Sequence, residues 1–277
     1  MKFKFLGTRG SYPSQKEEHL SYGGNTSCVE VSDPQHRLIL DAGTGILGLD
    51  LELYANLRRI DILLTHLHMD HIQGLAFFKL LFKKELDVHI WGPGGTSSDL
   101  RAHLNRYFSP PLFPVPLREL PCQLHLHEIA NSTFTIGSFE ITSAFVIHPG
   151  PTLGYRIRQG AKILTYIPDH EPMVGSLKLY EKDKWVSGLA LCKNADVLIH
   201  DAMYTVKEYP LRIGWGHSST EHVIQMARRA GVKKLFLFHH NPDYSDGFLK
   251  ERLMGLKQNH GVTFDILLAT EGMEYEV

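Results

Sequence analysis

Four side chains that can bind a metal ion lie within six positions of one short segment, THLHMDHIQG, residues 65–74. The segment follows the apolar run IDILL, which predicts a buried strand ending just before the cluster. Burying so many imidazole and carboxylate groups is costly unless a common partner holds them together. Such ligands suit zinc, manganese or iron, so the segment predicts a metal site. The four candidate ligands are His66, His68, Asp70 and His71.

Further candidate ligands follow apolar runs later in the chain. His148 comes after ITSAFVI, Asp169 after ILTYIP and His239 after KLFLF, and each run is typical of a buried strand. His66 and His68 are two positions apart, so in an extended segment they share a face and can grip one ion together. We therefore expect several strand ends to contribute ligands to the same metal centre.

The spacing of apolar residues indicates strands alternating with helices in a single domain, residues 1–277, without repeats or linkers. Helices are predicted at 45–57, 72–85, 97–109, 219–231 and 246–261. Strands are predicted at 2–7, 26–31, 37–43, 60–65, 87–93, 195–202, 233–240 and 262–269, and as pairs within 134–148 and 154–168. An α/β (α+β) fold accounts for this pattern, as a four-layer αββα sandwich of two mixed sheets flanked by helices.

Composition restricts the class of partner. The chain has 29 Lys plus Arg against 30 Asp plus Glu, so its net charge of −1 favours neither nucleic acid nor an anionic membrane. The opening MKFKFLG predicts a strand, no targeting segment is apparent, and no apolar run reaches the roughly 18 to 20 residues of a membrane span. These features predict a cytoplasmic protein. The three cysteines are widely separated and indicate neither disulfides nor a thiolate metal site.

The motif HxHxDH, followed by a later His, an Asp and a final His, resembles the metallo-β-lactamase superfamily of metal-dependent hydrolases, whose fold is the αββα sandwich. The segment THLHMDH is similar to the first metal motif of that superfamily, HPG to the second, PDHE to the bridging carboxylate and FHH to the last ligand. The resemblance implies two divalent ions, zinc first, with manganese and iron as alternatives. It assigns His66, His68 and His148 to one ion, Asp70, His71 and His239 to the other, and Asp169 to both.

The segments ADVLIHDAMY, GWGHSS and LFLFHHNPDY are similar to the branch that includes ribonuclease Z and cyclic phosphodiesterases, which cleave phosphodiesters. His217 in GHSST matches a histidine that members of this branch carry ahead of a helix. Only 20 residues separate His148 from Asp169, and the chain has no glycine-rich, basic insertion resembling the arm with which ribonuclease Z grips transfer RNA. We therefore expect a small phosphodiester substrate, such as a cyclic nucleotide, and do not expect a large RNA partner.

Two closely spaced cations can activate a bridging hydroxide that attacks phosphorus near neutral pH. Ser218 and Glu221 match a capping box, so His217 is predicted to precede a helix whose amide groups favour a phosphate. We expect His217 to act as general acid or hydrogen-bond donor to the substrate, and Asp201 to orient it. The predicted catalytic residues are Asp70, His217 and Asp201, and the predicted substrate contacts are His217, Ser218 and His240.

Two other functions stay open from sequence alone. The same metal site could hydrolyse a thioester or a lactone, or it could belong to a metal-binding or nucleotide-binding sensor that turns nothing over. The proline-rich segment 108–117 could wall a substrate pocket or form a homodimer contact, and the sequence does not choose between these roles.

Several other polar residues fit structural roles. His125 and His127 share the spacing of the metal motif but lack a following Asp-His pair, so they predict a solvent-facing strand edge. His170 and His200 are not predicted to belong to the site, because each neighbours a stronger candidate, Asp169 and Asp201 respectively. Asp41 is predicted to brace the metal loop, and the glycine-containing segments 7–11 and 22–27 to form tight turns.

Overall fold

Two seven-stranded sheets form the centre of the computed structural model, which describes residues 1–54, 56–94, 99–259 and 261–277. In the described ranges, the first sheet has the order β14-β1-β2-β3-β4-β5-β6. Its strands are β1 Lys2–Gly7, β2 Cys28–Ser32, β3 Arg37–Leu40, β4 Arg59–Leu63, β5 Asp87–Pro93, β6 Gln123–Ile129 and β14 Glu274–Glu276.

The second sheet has the order β13-β12-β11-β10-β9-β8-β7 over the same described residues. Its strands are β7 Ser132–Ile136, β8 Phe139–Phe145, β9 Leu153–Gln159, β10 Lys162–Ile167, β11 Val197–Asp201, β12 Lys234–Phe238 and β13 Asp265–Leu268. Both sheets are mixed in the same way. Antiparallel pairs occupy one side of each sheet, and four successive parallel strands, β3 to β6 and β10 to β13, occupy the other.

The inner faces of the two sheets share an apolar core, because alternate residues along each strand point towards the opposite sheet. Phe3 and Phe5 of β1 meet Phe236 of β12, with ring centroids 5.5 and 5.3 Å apart. All three rings are almost completely buried. Such aromatic pairs contribute about 0.5 to 1.5 kcal/mol each beyond their buried area. Aromatic contacts therefore join the two sheets at the centre of the sandwich. The residues that form them lie at alternating apolar positions of the predicted strands.

Helices cover the outer faces, which confirms the four-layer αββα prediction. On α4, buried Val223, Met226, Ala227 and Ala230 follow the spacing of one helical face and pack on the second sheet. That the whole chain is one domain stays a prediction. The helices are α1 Met69–Ile72, α2 Leu100–Tyr107, α3 Leu189–Cys192, α4 Thr220–Ala230 and α5 Asp246–Asn259.

Two predicted helices are wrong, those at 45–57 and 72–85. The first consists of short 3-10 turns at Thr44–Gly48 and Leu51–Tyr54, and residue 55 lies outside the described residues. The second consists of the end of α1 and two 3-10 turns. Gly74 explains the break, since its amide donates to Ala42 O and its Cα lies against the carbonyl of Gly43. Apolar spacing predicted burial correctly, but tertiary contacts prevented a continuous helix.

The other three helices match their predictions within a few residues. Asp99 caps α2 by accepting a hydrogen bond from Ala102 N, while predicted positions 97 and 98 lie outside the described residues. Residue 260 of the predicted 246–261 helix also lies outside them. Helix α4 ends at Gly231, which adopts the left-handed conformation with φ 69°.

The N-terminus of α4 corrects a sequence prediction. Ser219, and not Ser218, is the N-cap residue, and its side chain accepts from His222 N at 3.3 Å. Ser218 is buried and donates to the carbonyl of His170 at 2.6 Å. The expected capping box between Ser218 and Glu221 is therefore absent from this described helix, because the Ser218 hydroxyl is already used.

No helix among the described residues is both long and apolar enough to cross a membrane. The cytoplasmic location expected from sequence stays a prediction.

Candidate metal centre

The metal motif lies at the carboxyl edge of the first sheet, where β4 ends and α1 begins. His66 and His68 lie in the extended segment after β4, and α1 then carries Asp70 and His71. The amide of His71 donates to His68 O at 3.0 Å, and its carbonyl accepts from Ala42 N at 2.7 Å. The short helix is thus tied to the segment after β3, which fixes the direction of its side chains.

Three histidines form the first group of the centre. His68 Nδ1 lies 3.1 Å from His148 Nε2. His66 Nε2 and His148 Nε2 lie 3.7 and 3.6 Å from Asp169 Oδ2. His66 and His68 come from the first sheet, whereas His148 and Asp169 follow strands of the second. One potential ion site therefore draws its donors from both sheets.

The second group surrounds the other oxygen of the same carboxylate. Asp169 Oδ1 lies 3.0 Å from His71 Nε2 and 3.2 Å from His239 Nε2. Asp70 Oδ2 lies 3.1 Å from His239 Nε2 and 3.4 Å from His71 Nε2. Within each group, the donor atoms of all members lie within 4.8 Å of one another. Asp169 is thus placed with one oxygen towards each group.

Unpaired buried atoms test whether this set fits metal ions. Among the described residues, His66 Nε2, His71 Nε2 and Asp169 Oδ1 are buried and have no partner in hydrogen-bonding geometry, although the last two atoms lie 3.0 Å apart. Buried polar atoms ordinarily have partners, and leaving one unpaired is costly. The seven donors are imidazoles and carboxylates without a thiolate, which is the chemistry of zinc, manganese and iron sites. The donor set therefore fits divalent metal ions.

The electrostatics of the centre favour a cation. Burial lowers the pKa of His66, which keeps its imidazole in the neutral, ligating form. Burial would also lower the pKa of His71, but Asp169, Asp70 and Asp41 raise it well above its usual value. The carboxylates thus create a negative potential that a proton on His71 offsets, and a bound cation can take over that role.

Asp41 links the metal motif to the core, as the sequence predicted for a bracing residue. Its Oδ2 lies 2.8 Å from His71 Nδ1 and accepts from Tyr166 OH at 2.9 Å. Thr65 donates to Asp41 through both its amide and its hydroxyl. With Nδ1 of His71 occupied in this way, Nε2 is the nitrogen left for an ion.

His217 lies beside the two groups. Its Nδ1 is 2.8 Å from Asp201 Oδ2, and its ring centroid is 5.2 Å from that of His148 and 5.0 Å from that of His239. Burial would lower the pKa of His217, but Asp201 outweighs that effect and raises the pKa to about 9. Asp201 in turn accepts from Met203 N and His170 N. The structure thus brings Asp201 and His217 into contact, and their catalytic roles stay predictions.

Comparison with known proteins agrees with this arrangement. Residues 36–240 match the model of the beta-lactamase superfamily domain. The chain belongs to this superfamily. Ribonuclease Z from Streptococcus suis is 26% identical, with 99% of each chain aligned. The metallo-beta-lactamase fold protein YhfI from Bacillus subtilis has a TM-score of 0.70 at 19% identity, covering 100% of this chain and 98% of its own. A diphosphatase from the PhnP family has a TM-score of 0.67 at 18% identity, covering 100% and 97%.

These matches confirm a metal-dependent hydrolase of the metallo-β-lactamase superfamily, in the branch similar to ribonuclease Z. They also agree with the two mixed sheets and outer helices seen here.

Glu171 has a structural role next to the metal centre that the sequence analysis did not predict. Its buried carboxylate accepts hydrogen bonds from Gly214 N and Gly216 N at 3.0 Å, and from Tyr209 OH at 2.7 Å. The carbonyl of Gly216 then lies 2.8 Å from Nδ1 of His148. Glu171 therefore fixes the loop that orients a metal-site histidine. The only sequence signal was its place in PDHE, two residues after Asp169.

The turn at residues 7–11 packs against two of the candidate metal ligands, Asp70 and His239. Ser11 N donates to Asp70 Oδ2 at 2.8 Å, and Gly10 lies so close to the ring of His239 that a Cβ would be 2.4 Å from it. Arg9 is completely buried and donates to the carbonyl of Gly23 and to Asp246 Oδ1. Sequence reasoning predicted a tight turn here but could not show which distant side chains it braces.

His240 and Ser218 do not contact the centre as predicted. His239 adopts a left-handed backbone with φ 56°, which directs its ring into the site. His240 is buried beyond it, with Nε2 2.8 Å from the carbonyl of Ala269, and burial lowers its pKa to about 3. Ser218 bonds to a backbone carbonyl instead. The predicted substrate contacts of these two residues are therefore wrong, since both polar groups are already occupied inside the protein.

The four histidines that were not predicted to belong to the site contact other parts of the protein. His125 and His127 lie on β6, at the edge of the first sheet, and His127 Nε2 is 2.8 Å from His89 Nδ1. His170 Nδ1 lies 2.9 Å from His200 Nε2 beneath the site. None of these four histidines belongs to a metal-type cluster in the described part of the chain.

Proposed function

We propose that this chain is a dinuclear metal-dependent phosphodiesterase that hydrolyses small phosphodiesters, cyclic nucleotides among them. The observation that supports it most is the position of Asp169, with Oδ2 towards His66 and His148 and Oδ1 towards His71 and His239. A carboxylate between two donor groups suits a two-ion site. Two divalent cations bound there would lower the pKa of water and neutralise charge on a phosphoryl group.

The protein's own residues would complete the reaction. Asp201 holds Nδ1 of His217, so Nε2 is the nitrogen that can give a proton to the leaving alkoxide. The side chain of His217 is 12% exposed, which leaves it within reach of a bound substrate. Glu171 and Gly216 keep His148 oriented while the substrate binds. Asp70 would bind an ion and would also add negative charge next to it. We therefore propose it as a catalytic residue.

A small substrate is favoured over a folded RNA by the size of the chain. The alignment with ribonuclease Z from Streptococcus suis spans 327 positions, whereas this chain has 277 residues, so the relative has at least 50 that this chain lacks. Between His148 and Asp169 this chain has only the hairpin of β9 and β10. The near-zero net charge agrees, because gripping many phosphates requires excess Lys and Arg.

RNA cleavage is the second candidate function, since the curated relatives over the full chain are named ribonuclease Z. The two candidates share the metal centre and differ in where the rest of the substrate is held. Zinc is the metal we propose first, with manganese and iron as alternatives, because the donor set contains imidazole and carboxylate only.

A metal analysis combined with a substrate panel tests the proposal. The purified protein, loaded separately with zinc, manganese and iron, is assayed with bis-p-nitrophenyl phosphate, a 2′,3′-cyclic nucleotide, a precursor transfer RNA, S-lactoylglutathione and a homoserine lactone. We expect about two ions per chain and turnover of the first two substrates. Cleavage of only the transfer RNA would make the chain an RNA-processing enzyme. Cleavage of only the thioester or lactone would move it to another reaction class, and tight nucleotide binding without any turnover would indicate a sensor.

A further inference from the structure

Two cavities lie along the segment that carries His66 and His68, and they share lining residues. The first, here called the entrance cavity, has a volume of about 160 Å³ and is lined by His66 and His68 together with Pro149 and His103. The second, here called the apolar groove, has a volume of about 400 Å³. Leu67 and His103 line both cavities. The groove therefore adjoins the cavity that the proposed metal ligands His66 and His68 line.

The groove presents apolar surface with positive charge at its margin. Leu67, Met69, Ile72, Leu104, Tyr107 and Leu112 supply its apolar lining. The hydroxyl of Tyr107 is occupied, because it donates to Gln73 O at 2.6 Å. Leu112 is 72% exposed, which is a large apolar side chain left in water unless something covers it. The exposed side chains of His103 and Arg106, at the margin, suit a ligand that carries an anionic phosphate next to an apolar group.

The proposed proton donor is not among the residues that line the two cavities. Neither cavity is lined by His217, Asp201 or His239, which form their own cluster. If His217 serves the leaving alkoxide, a group in the groove belongs to the other ester of the phosphodiester.

We propose that the apolar groove binds the alcohol group that stays on phosphorus, and that this group is an alkyl or aryl chain. This inference rests on the proposed phosphodiesterase function and specifies the substrate class further. The phosphate would lie by the entrance cavity, next to His66 and His68, and the apolar chain would pass Leu67 and His103 into the groove. We choose a substrate group over a second copy of this chain because the groove shares Leu67 and His103 with the cavity that His66 and His68 line.

Titration calorimetry with monoalkyl phosphates tests the groove without requiring turnover. Methyl, butyl and hexyl phosphate are titrated into the metal-loaded full chain. Each methylene that enters an apolar site lowers Kd by up to about fourfold, so Kd should fall steadily from methyl to hexyl phosphate. Leu112→Ser should weaken hexyl phosphate binding about three- to tenfold and leave methyl phosphate binding unchanged. Leu20→Ser is the matched control, because Leu20 is 71% exposed and lines neither cavity.

The outcomes separate the groove from the reaction. Equal Kd values for methyl and hexyl phosphate, or equal effects of Leu112→Ser and Leu20→Ser, would overturn the groove assignment. A change from dimer to monomer in sedimentation velocity for Leu112→Ser, with the Kd series unchanged, would make the groove a contact between copies and overturn it as well. A chain-length dependence in a protein that hydrolyses no diester would leave the groove standing and reject the proposed function. If no alkyl phosphate binds, the groove assignment fails, and the substrate panel decides the phosphodiesterase function separately.

Discussion

At the scale of single residues, the role of each histidine depends on its neighbours. The chain has 17 histidines, and the HxHxDH spacing distinguished His66 and His68 from the similar pair His125 and His127. This local pattern could be read from sequence because its ligands are close along the chain. The function of Glu171 could not, since it depends on amide groups more than 40 residues away that only the fold brings near.

His217 provides the first prediction. His217→Ala should lower turnover by about 10²- to 10⁴-fold for a diester with an alkyl leaving group, because the alkoxide then lacks a proton donor. With p-nitrophenolate, which leaves without a proton, the loss should be much smaller. Steady-state kinetics on the two substrates measure this difference, and metal content should stay unchanged. Loss of bound metal in His217→Ala would identify it as a ligand and contradict the assigned role.

Glu171 provides the second prediction. In Glu171→Gln, an amide NH₂ replaces one carboxylate oxygen, and this NH₂ can donate to the hydroxyl of Tyr209 but cannot accept from Gly214 N or Gly216 N. We expect metal affinity or turnover to fall by about 10- to 100-fold, the usual effect of losing a residue that orients a metal ligand. Competition with a chelating dye measures the affinity. Glu140→Gln is the control, because Glu140 only pairs with Arg158 at the surface. Equal values for both variants would count against an orienting role.

At the scale of elements, the alternation of apolar and polar residues predicted strands more accurately than the spacing of apolar residues predicted helices. The hairpins of β7 with β8 and β9 with β10 lie where the sequence predicted them, because both faces of these strands follow a two-residue pattern. The predicted helix at 72–85 was wrong because of a tertiary contact. Gly74 packs against the segment after β3, and that long-range contact has no signal in the spacing of apolar residues.

A pair of glycine substitutions tests whether close packing at Gly74 prevents the continuous helix. In Gly74→Ala, the new Cβ would lie 2.2 Å from the carbonyl oxygen of Gly43, so the backbone must shift. We expect a loss of about 2 to 4 kcal/mol in the free energy of unfolding, typical of a buried steric clash. In Gly255→Ala, within α5, the Cβ meets nothing within 4 Å and should stabilise the protein by about 0.5 to 1 kcal/mol. Urea denaturation measures both. A similar effect of the two substitutions would disprove the close-packing argument.

At the scale of the whole molecule, the metal centre lies at the seam between the two sheets. His66, His68, Asp70 and His71 come from the first sheet side, and the remaining ligands come from loops of the second. The sequence predicted the sandwich and the ligand order because the resemblance spans both halves. It left open whether segment 108–117 walls a pocket, and it could not show that Leu112 of this segment lines the apolar groove together with Leu67, α1 and α2.

Removal of metal should therefore lower the stability of the whole fold. A ligand present at 100 times its Kd stabilises the folded state by about 2.7 kcal/mol, which corresponds to a Tm change of about 5 to 10 °C in a chain of this size. Differential scanning calorimetry before and after treatment with a chelator measures the shift. Asp169→Ala should show a much smaller shift, because it removes the carboxylate between the two donor groups. Identical Tm values with and without metal would contradict ion binding across the seam.

The position of Asp169 at this seam has a consequence for how the protein acquires its cations. Of the two groups that share Asp169, neither is complete within one sheet, since each combines residues that follow strands of the first sheet with residues that follow strands of the second. A partly folded chain, with only the first sheet assembled, can offer an ion His66 and His68 but not their partners. We therefore expect full cation affinity only after the two halves have docked, so that metal content would report correct assembly.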